Sequence, residues 1–284
     1  MKWFTAVFLC IASVFLSIFD LPTYAYGKKV DMSKFELTWS DEFDGESLDT
    51  DKWETGGYVG RTRVRRGSYW NTDMATVEDG NLHIATKYFP DGYNGNGKPG
   101  WYTTELTTQN SFRQCRGYFE TRCILPKGYG MWAAFWLFGH GVGKIGNEGK
   151  DGTEIDIFES PYYSEDGIWH NCVSSNLHYD GYGEEHRQQN ICKTIMYATN
   201  PYEEFNTYAI EWSETEYTIY VNGRKAGKSK FGGISEDEQW LLLSVEVGGD
   251  NAVPAESWAG PSIETDPSVV SDFIVDYVRV YQYK

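Results

Sequence analysis

The sequence predicts an all-β fold, a sandwich or barrel, and three observations carry that prediction. Short runs rich in β-formers alternate with turn signals along nearly the whole chain: Asp44-Gly45, Gly56-Gly57, Asp79-Gly80, Asp91-Gly92, Asn222-Gly223, Gly232-Gly233 and Gly248-Gly249. Aromatic residues make up 17% of the chain, with 11 Trp, 21 Tyr and 15 Phe, a load that favours strands. No segment after the first apolar run keeps a helical period. At 284 residues, with no repeat, linker or break in composition, one domain is the simplest organisation.

The N-terminus reads as an export signal. Lys2 supplies a positive start, Trp3 to Phe19 is almost wholly apolar, and Ala25 offers a small residue for cleavage. The alternative is a membrane anchor, since the run is about as long as the shortest spanning helices. Residues 1–25 are therefore expected to be a signal peptide and residues 26–284 a single secreted, extracellular domain with no membrane contact in its mature form. Strands are predicted over Asn81–Lys87, Tyr118–Leu125, Trp132–Phe138, Tyr208–Trp212, Tyr217–Asn222, Trp240–Val247 and Phe273–Tyr281. Asn222-Gly223 is a strong hairpin signal, because both positions of a type I′ turn need positive φ. The Gly-rich stretches Gly92–Gly100 and Gly139–Gly152 are loops, either walls of a cleft or plain surface connections.

Four cysteines follow the leader: Cys115, Cys123, Cys172 and Cys192. In an exported chain an even number suggests disulfides, with the connectivity left open. If Cys115 and Cys123 share one strand they lie roughly 26 Å apart, too far to bond. Cys172–Cys192 is the easiest pair to form.

A net charge of −16 argues against nucleic acid, disfavours an anionic membrane surface and mildly disfavours a polyanionic ligand. The aromatic load exceeds what one core needs. The surplus suits sugar rings, whose C–H faces pack on indole and phenol.

The decisive segment runs from Asp151 to Ser160. Ile155 and Ile157 alternate with Glu154 and Asp156, which is a half-buried strand with one acidic face. Glu159 breaks the parity. One β-bulge near Phe158 would return it to the face of the other two acids, and bulges cluster next to active sites. Carboxylates crowded on one face repel, so one of them holds a proton at neutral pH. Glycosidic cleavage needs that mixture, one ionised carboxylate and one acid flanking the bond. The competing readings are a solvated acidic strand or a cation site, though apolar residues between the acids do not resemble a calcium loop.

The motif Glu154-x-Asp156-x-x-Glu159 resembles glycoside hydrolase family 16, in the longer, bulged form of its laminarinase branch. The resemblance extends over nearly the whole mature chain: Leu37–Phe43 with Trp53, Val77–Ile84, Gly117–Trp136, Tyr208–Gly223 and Val275–Tyr281. It implies a jelly-roll of two antiparallel sheets with a concave substrate cleft, and internal cleavage with retention. By motif position Glu154 resembles the nucleophile, Glu159 the general acid/base and Asp156 the residue that hydrogen-bonds within the pair. Trp132, Trp136, His178 and Trp258 match positions that bind the sugar chain. Asp276, with carbonyls of Glu42 and Gly80, matches a structural calcium site on the opposite face. No catalytic cofactor is implied, and a monomer is expected. Two departures bear on the substrate. Glu105 stands where many laminarinases have Arg, and the usual Trp-Pro before the acidic motif is replaced by Gly149–Thr153. Arg61, Arg63, Arg65 and Arg66 form a further run that either binds anionic groups on a substrate or pairs with local acids.

The expected function is thus endo-acting, retaining hydrolysis of a β-1,3- or mixed β-1,3/1,4-glucan. The alternatives are a galactan or sulfated polysaccharide as substrate, a transglycosylase using the same intermediate, a lectin-like module without catalysis, and a calcium-stabilised surface protein with interaction function only.

Overall fold

The computed structural model describes residues 23–55, 62–161, 163–164, 172–195, 200–263 and 268–284. Among them are strands and short 3-10 turns and no α-helix, in two large sheets.

The first sheet has eight strands. From one edge its order is Thr23–Tyr24, Arg187–Ile195, Cys172–Tyr179, Glu154–Glu159, Met131–Phe138, Trp240–Val247, Glu105–Thr107 and Glu54–Thr55. The second sheet runs Arg224–Ser229, Tyr217–Val221, Asn206–Trp212, Gly117–Ile124, Val270–Tyr283, Asn81–Phe89, Gly100–Thr103, Ser68–Trp70 and Arg63–Arg65. Phe35–Asp41 also pairs with Val270–Tyr283, and Ala75–Glu78 with Asn81–Phe89. Gly249–Asp250 and Val253–Pro254 form a separate two-stranded ribbon.

Every strand expected from the sequence is present, with ends shifted by a few residues. The Asn222-Gly223 turn has φ of 49° and 68°, as a type I′ hairpin requires. The core lies between the sheets. Phe135, Leu137, Ile155, Ile157, Phe158, Leu177, Leu241, Leu243 and Val245 of the first sheet meet Phe119, Ile210, Trp212, Phe273, Val275 and Val278 of the second. Alternation then decides the other face. With Phe135 and Ile155 turned inward, Trp136, Glu154 and Asp156 must point outward.

The cysteines correct an expectation, since all four are free. Cys172 sits opposite Ile195, while Cys192 sits opposite Ser175. That register sends the two thiols to opposite faces of the sheet, so no bridge joins them. The apolar run Trp3–Phe19 lies outside the described residues. Thr23 and Tyr24 pair in parallel with Thr194 and Ile195, so cleavage after Ala25 would remove this short edge strand.

Candidate active site

A cleft of about 1020 Å³ opens on the outer face of the first sheet. Its floor is the alternating set that the core leaves free: Trp132, Ala134 and Trp136 on one strand, Glu154, Asp156 and Glu159 on the next, then Ser174, Asn176 and His178.

The bulge that the parity of Glu159 demands is present. Glu154 lies opposite His178 and Asp156 opposite Asn176, but Glu159 lies opposite Ser174, so two residues of the acidic strand face one of its neighbour. The same slip appears on the other side, where Phe135 opposes Phe158 and Trp136 opposes Asp156. Ile157 and Phe158 both turn into the core, and all three acids share the cleft face. Glu154 and Glu159 stand four residues apart on the neighbouring strand, a Cα separation of roughly 13 Å. Asp156 lies between them.

Each acid has its own partner. Glu154 Oε2 accepts the hydroxyl of Tyr182. Asp156 Oδ2 is 3.3 Å from His178 Nε2, and His178 Nδ1 is 3.0 Å from His186 Nε2. Glu159 Oε2 accepts from Asn176 Nδ2 at 2.5 Å. Burial is the first cause of the altered acidity, raising Glu154 to about 8, with the charge of Asp156 adding to it. Burial likewise raises Asp156. Glu159 is pushed well above the ordinary carboxyl range by burial and then by Asp156. Such a cluster keeps protons at neutral pH. The Tyr182 hydroxyl and His178 favour charge on Glu154, and Asn176 and His178 favour it on Glu159.

Trp132 and Trp258 meet edge to face at 4.9 Å, and Trp258 is half exposed. Trp136 is fixed by its Nε1, which donates to Ser244 Oγ at 3.1 Å. All three, with His178, line the cleft. The arginine run is placed here too. Arg65 and Arg66 line the cleft and both bind Glu246, Arg65 Nε at 2.6 Å and Arg66 Nε at 2.5 Å. The Arg66 guanidinium lies 5.0 Å from the Trp132 ring centre. Arg63 pairs at 3.6 Å with Glu105, whose buried carboxyl is pushed up to about 7. Arg61 lies outside the described residues.

Sequence reading missed Tyr182, His186, Asn176 as a partner of Glu159, and Glu246. Glu246 had a signal, because it alternates with Ser244 along an otherwise apolar strand. Tyr182 and His186 sit in or beside a turn, where no periodicity marks them. Neither Gly92–Gly100 nor Gly139–Gly152 lines the cleft.

The expected calcium ligands sit far from this cleft. Asp276 Oδ2 accepts from Arg122 at 2.5 Å, and the Glu42 carboxylate is bidentate with Arg279 at 3.0 and 2.7 Å. Gly80 occupies an exposed turn with φ of 72°. The Asp276 carboxylate is thus paired with a guanidinium, while the Glu42 ion pair engages its side chain and not the backbone carbonyl expected as a donor. Among the described residues, the one group of three side chains close enough to share a metal is Glu154, Asp156 and His178.

A family model, the GH16 domain of beta-porphyranases A to D, matches residues 35–283. Among curated relatives, a beta-glucanase of Rhodothermus marinus is 26% identical over 88% of this chain and 86% of its own length. Beta-porphyranase B of Zobellia galactanivorans is 26% identical over 76% of this chain and 75% of its own. The chain spans only 38% of the glucan endo-1,3-beta-glucosidase A1 of Niallia circulans. Among solved structures, the laminarinase catalytic domain of Thermotoga maritima aligns with a TM-score of 0.68 at 25% identity, covering 88% of this chain and 99% of that one. SCLam, a non-specific endo-beta-1,3(4)-glucanase, aligns with a TM-score of 0.70 over 93% of this chain and 97% of its own. The chain belongs to glycoside hydrolase family 16, with the jelly-roll fold of its laminarinase-like members, and it is a glycoside hydrolase of polysaccharides.

Proposed function

We propose that this family 16 hydrolase cuts internal β-linkages of a secreted enzyme's polysaccharide substrate with retention, by double displacement at Glu154 and Glu159. One observation carries the reading: a bulge at Ile157–Phe158 brings three differently partnered carboxyls onto one cleft face. Glu159, raised by burial and by the Asp156 charge, gives its proton to the leaving oxygen. Glu154 attacks the anomeric carbon as the glycosidic bond breaks. Glu159, now ionised, takes a proton from water, which displaces Glu154 from the sugar. Asp156, between them, sets how the charge is shared. Trp132, Trp136 and Trp258 offer faces for successive sugar rings.

For the polymer, the glucanases among the relatives favour a β-1,3- or mixed-linkage glucan. A second reading, a galactan bearing sulfate esters, is favoured by a specific feature. Arg65 and Arg66 stand in the cleft against one shared carboxylate, leaving surplus positive charge beside Trp132. The matching family model is that of beta-porphyranases. Arg forks suit sulfate geometry.

Reducing-sugar release from laminarin, barley β-glucan, agarose, porphyran and carrageenan tests both readings. Glu154→Gln is expected to lose at least about a thousandfold in turnover while still binding the polymer. Near-normal turnover in that variant overturns the mechanism. Release from glucans alone selects the first substrate, and release from the sulfated galactan alone selects the second.

A further inference from the structure

The loop between the strands Cys172–Tyr179 and Arg187–Ile195 sends one side chain back across the cleft. Asp180 and Gly181 both take left-handed backbone, with φ of 60° and 69°, and Gly181 N donates to Val142 O at 2.8 Å. This turn aims Tyr182 inward. The residue is 62% exposed, yet its hydroxyl reaches Oε2 of Glu154, a residue 7% exposed. The ring centre lies 5.2 Å from His186 and 6.2 Å from His178, and those imidazoles stack on each other at an interplanar angle of 7°. An aromatic serving only as a sugar platform has no need of a hydroxyl on a buried carboxylate.

Building on the retaining mechanism above, we infer that Tyr182 is a catalytic residue that holds the Glu154 nucleophile and stabilises it as a leaving group. When Glu154 bonds to the anomeric carbon, Oε2 becomes the carbonyl oxygen of a glycosyl ester and its charge falls. The Tyr182 hydrogen bond weakens in that step. In the second step water attacks the anomeric carbon, the ester C–O bond breaks, its electron pair returns to Glu154, and Glu159 takes the water proton. Charge grows on the carboxylate as this happens, and a hydrogen bond to a charged acceptor is about twice as strong as one to a neutral acceptor. Tyr182 therefore assists breakdown of the ester more than its formation. The charged and titratable groups around Glu154 are Asp156 and Glu159 on its own strand, His178 on the next, Arg65 from the far wall, and Tyr182 itself. Tyr182 is the neutral hydroxyl donor among them.

Tyr182→Phe keeps the ring and its imidazole contacts and removes only the donor. The probe is a dinitrophenyl β-glycoside of the disaccharide repeat of whichever polymer is cut. A drop of roughly ten- to hundredfold in kcat is expected, the range for a hydrogen bond to a charged group. The Glu154-linked sugar, seen by mass spectrometry after rapid quench, should accumulate in the variant. The acid limb of kcat/KM should move to higher pH, because Glu154 loses a donor that favours its ionised form. Unchanged kcat, ester level and acid limb in a variant with wild-type Tm overturn the role of Tyr182. If wild type never carries the sugar on Glu154, the retaining mechanism itself fails instead.

Discussion

Asn176 is held by three hydrogen bonds, and one of them reaches Glu159. Its Nδ2 donates to Glu159 Oε2 at 2.5 Å and to Ser174 Oγ at 3.1 Å, while its Oδ1 accepts from Asn190 Nδ2 at 2.8 Å. The amide orientation is thereby fixed. A donor to a carboxylate favours the charged form, so Asn176 opposes the burial and the Asp156 charge that raise Glu159. In the proposed mechanism the catalytic proton sits on Glu159, and Asn176 limits how tightly it is held. Asn176→Ala should raise Glu159 further and move the basic limb of kcat/KM to higher pH. That limb is the opposite one to the limb that Tyr182→Phe moves. Turnover should fall by roughly tenfold, because an acid held too tightly transfers its proton less readily. A basic limb that stays in place would show that Asn176 only packs against Glu159.

The acidic strand shows what an element adds to its residues. Phe158 supplies the second inward side chain of the bulge. Its ring lies 4.5 Å from Tyr208 and 6.1 Å from Phe273, both core residues. Core packing of Phe158 thus locks the register that puts Glu159 on the cleft face. Phe158→Ala should cost about 3–5 kcal/mol of stability, and it should lower activity beyond the loss of folded protein because Glu159 is no longer pinned. Thermal unfolding and activity per folded molecule separate the two effects; full specific activity in the folded fraction would show that the bulge holds without its anchor. This register was legible in the sequence, since Glu154, Asp156 and Glu159 share one face only through a bulge. The apolar alternation of Met131–Phe138 and Trp240–Val247 was legible for the same reason, one face being core. Arg187–Ile195 was not. It contributes mainly Ile191 and Cys192 to the core, and polar or charged residues surround them before the terminal Ile195, so no period-2 pattern stands out. Tyr182 and His186 were hidden because a turn places them; the arginine run was visible, but its pairing was not, because Glu105 and Glu246 lie far along the chain.

At the scale of the whole molecule, pH acts through two sets of carboxyls with opposite signs. Glu42 and Glu216 are lowered in the folded state by hydrogen bonds from Arg279 and Lys228. Their contribution is present above the ordinary carboxyl pKa and is lost as pH falls through their lower folded values. Glu154, Asp156, Glu159 and Glu105 are raised by burial, Glu154 to about 8 and Glu105 to about 7. Between the ordinary carboxyl pKa of about 4.3 and these values the folded state binds protons that the unfolded chain has released. Stability from this set is therefore full at low pH and is lost as pH rises to about 8. Together the two sets predict a maximum in Tm near the ordinary carboxyl pKa, at about pH 4–5, and a decline from there to pH 8. The net charge of −16 adds repulsion that also grows with pH, and salt separates the two causes. Repulsion between surface charges is screened at 1 M salt, where the Debye length is about 3 Å, whereas the buried cleft acids are screened far less. The alkaline decline should persist at high salt in wild type and flatten in Glu154→Gln/Asp156→Asn, with Tm at pH 8 rising by roughly 2–4 °C for each kcal/mol relieved. A decline that vanishes with salt in wild type, and is unaltered in the double variant, would assign it to surface charge and leave the cleft acids ionised at no cost to the fold.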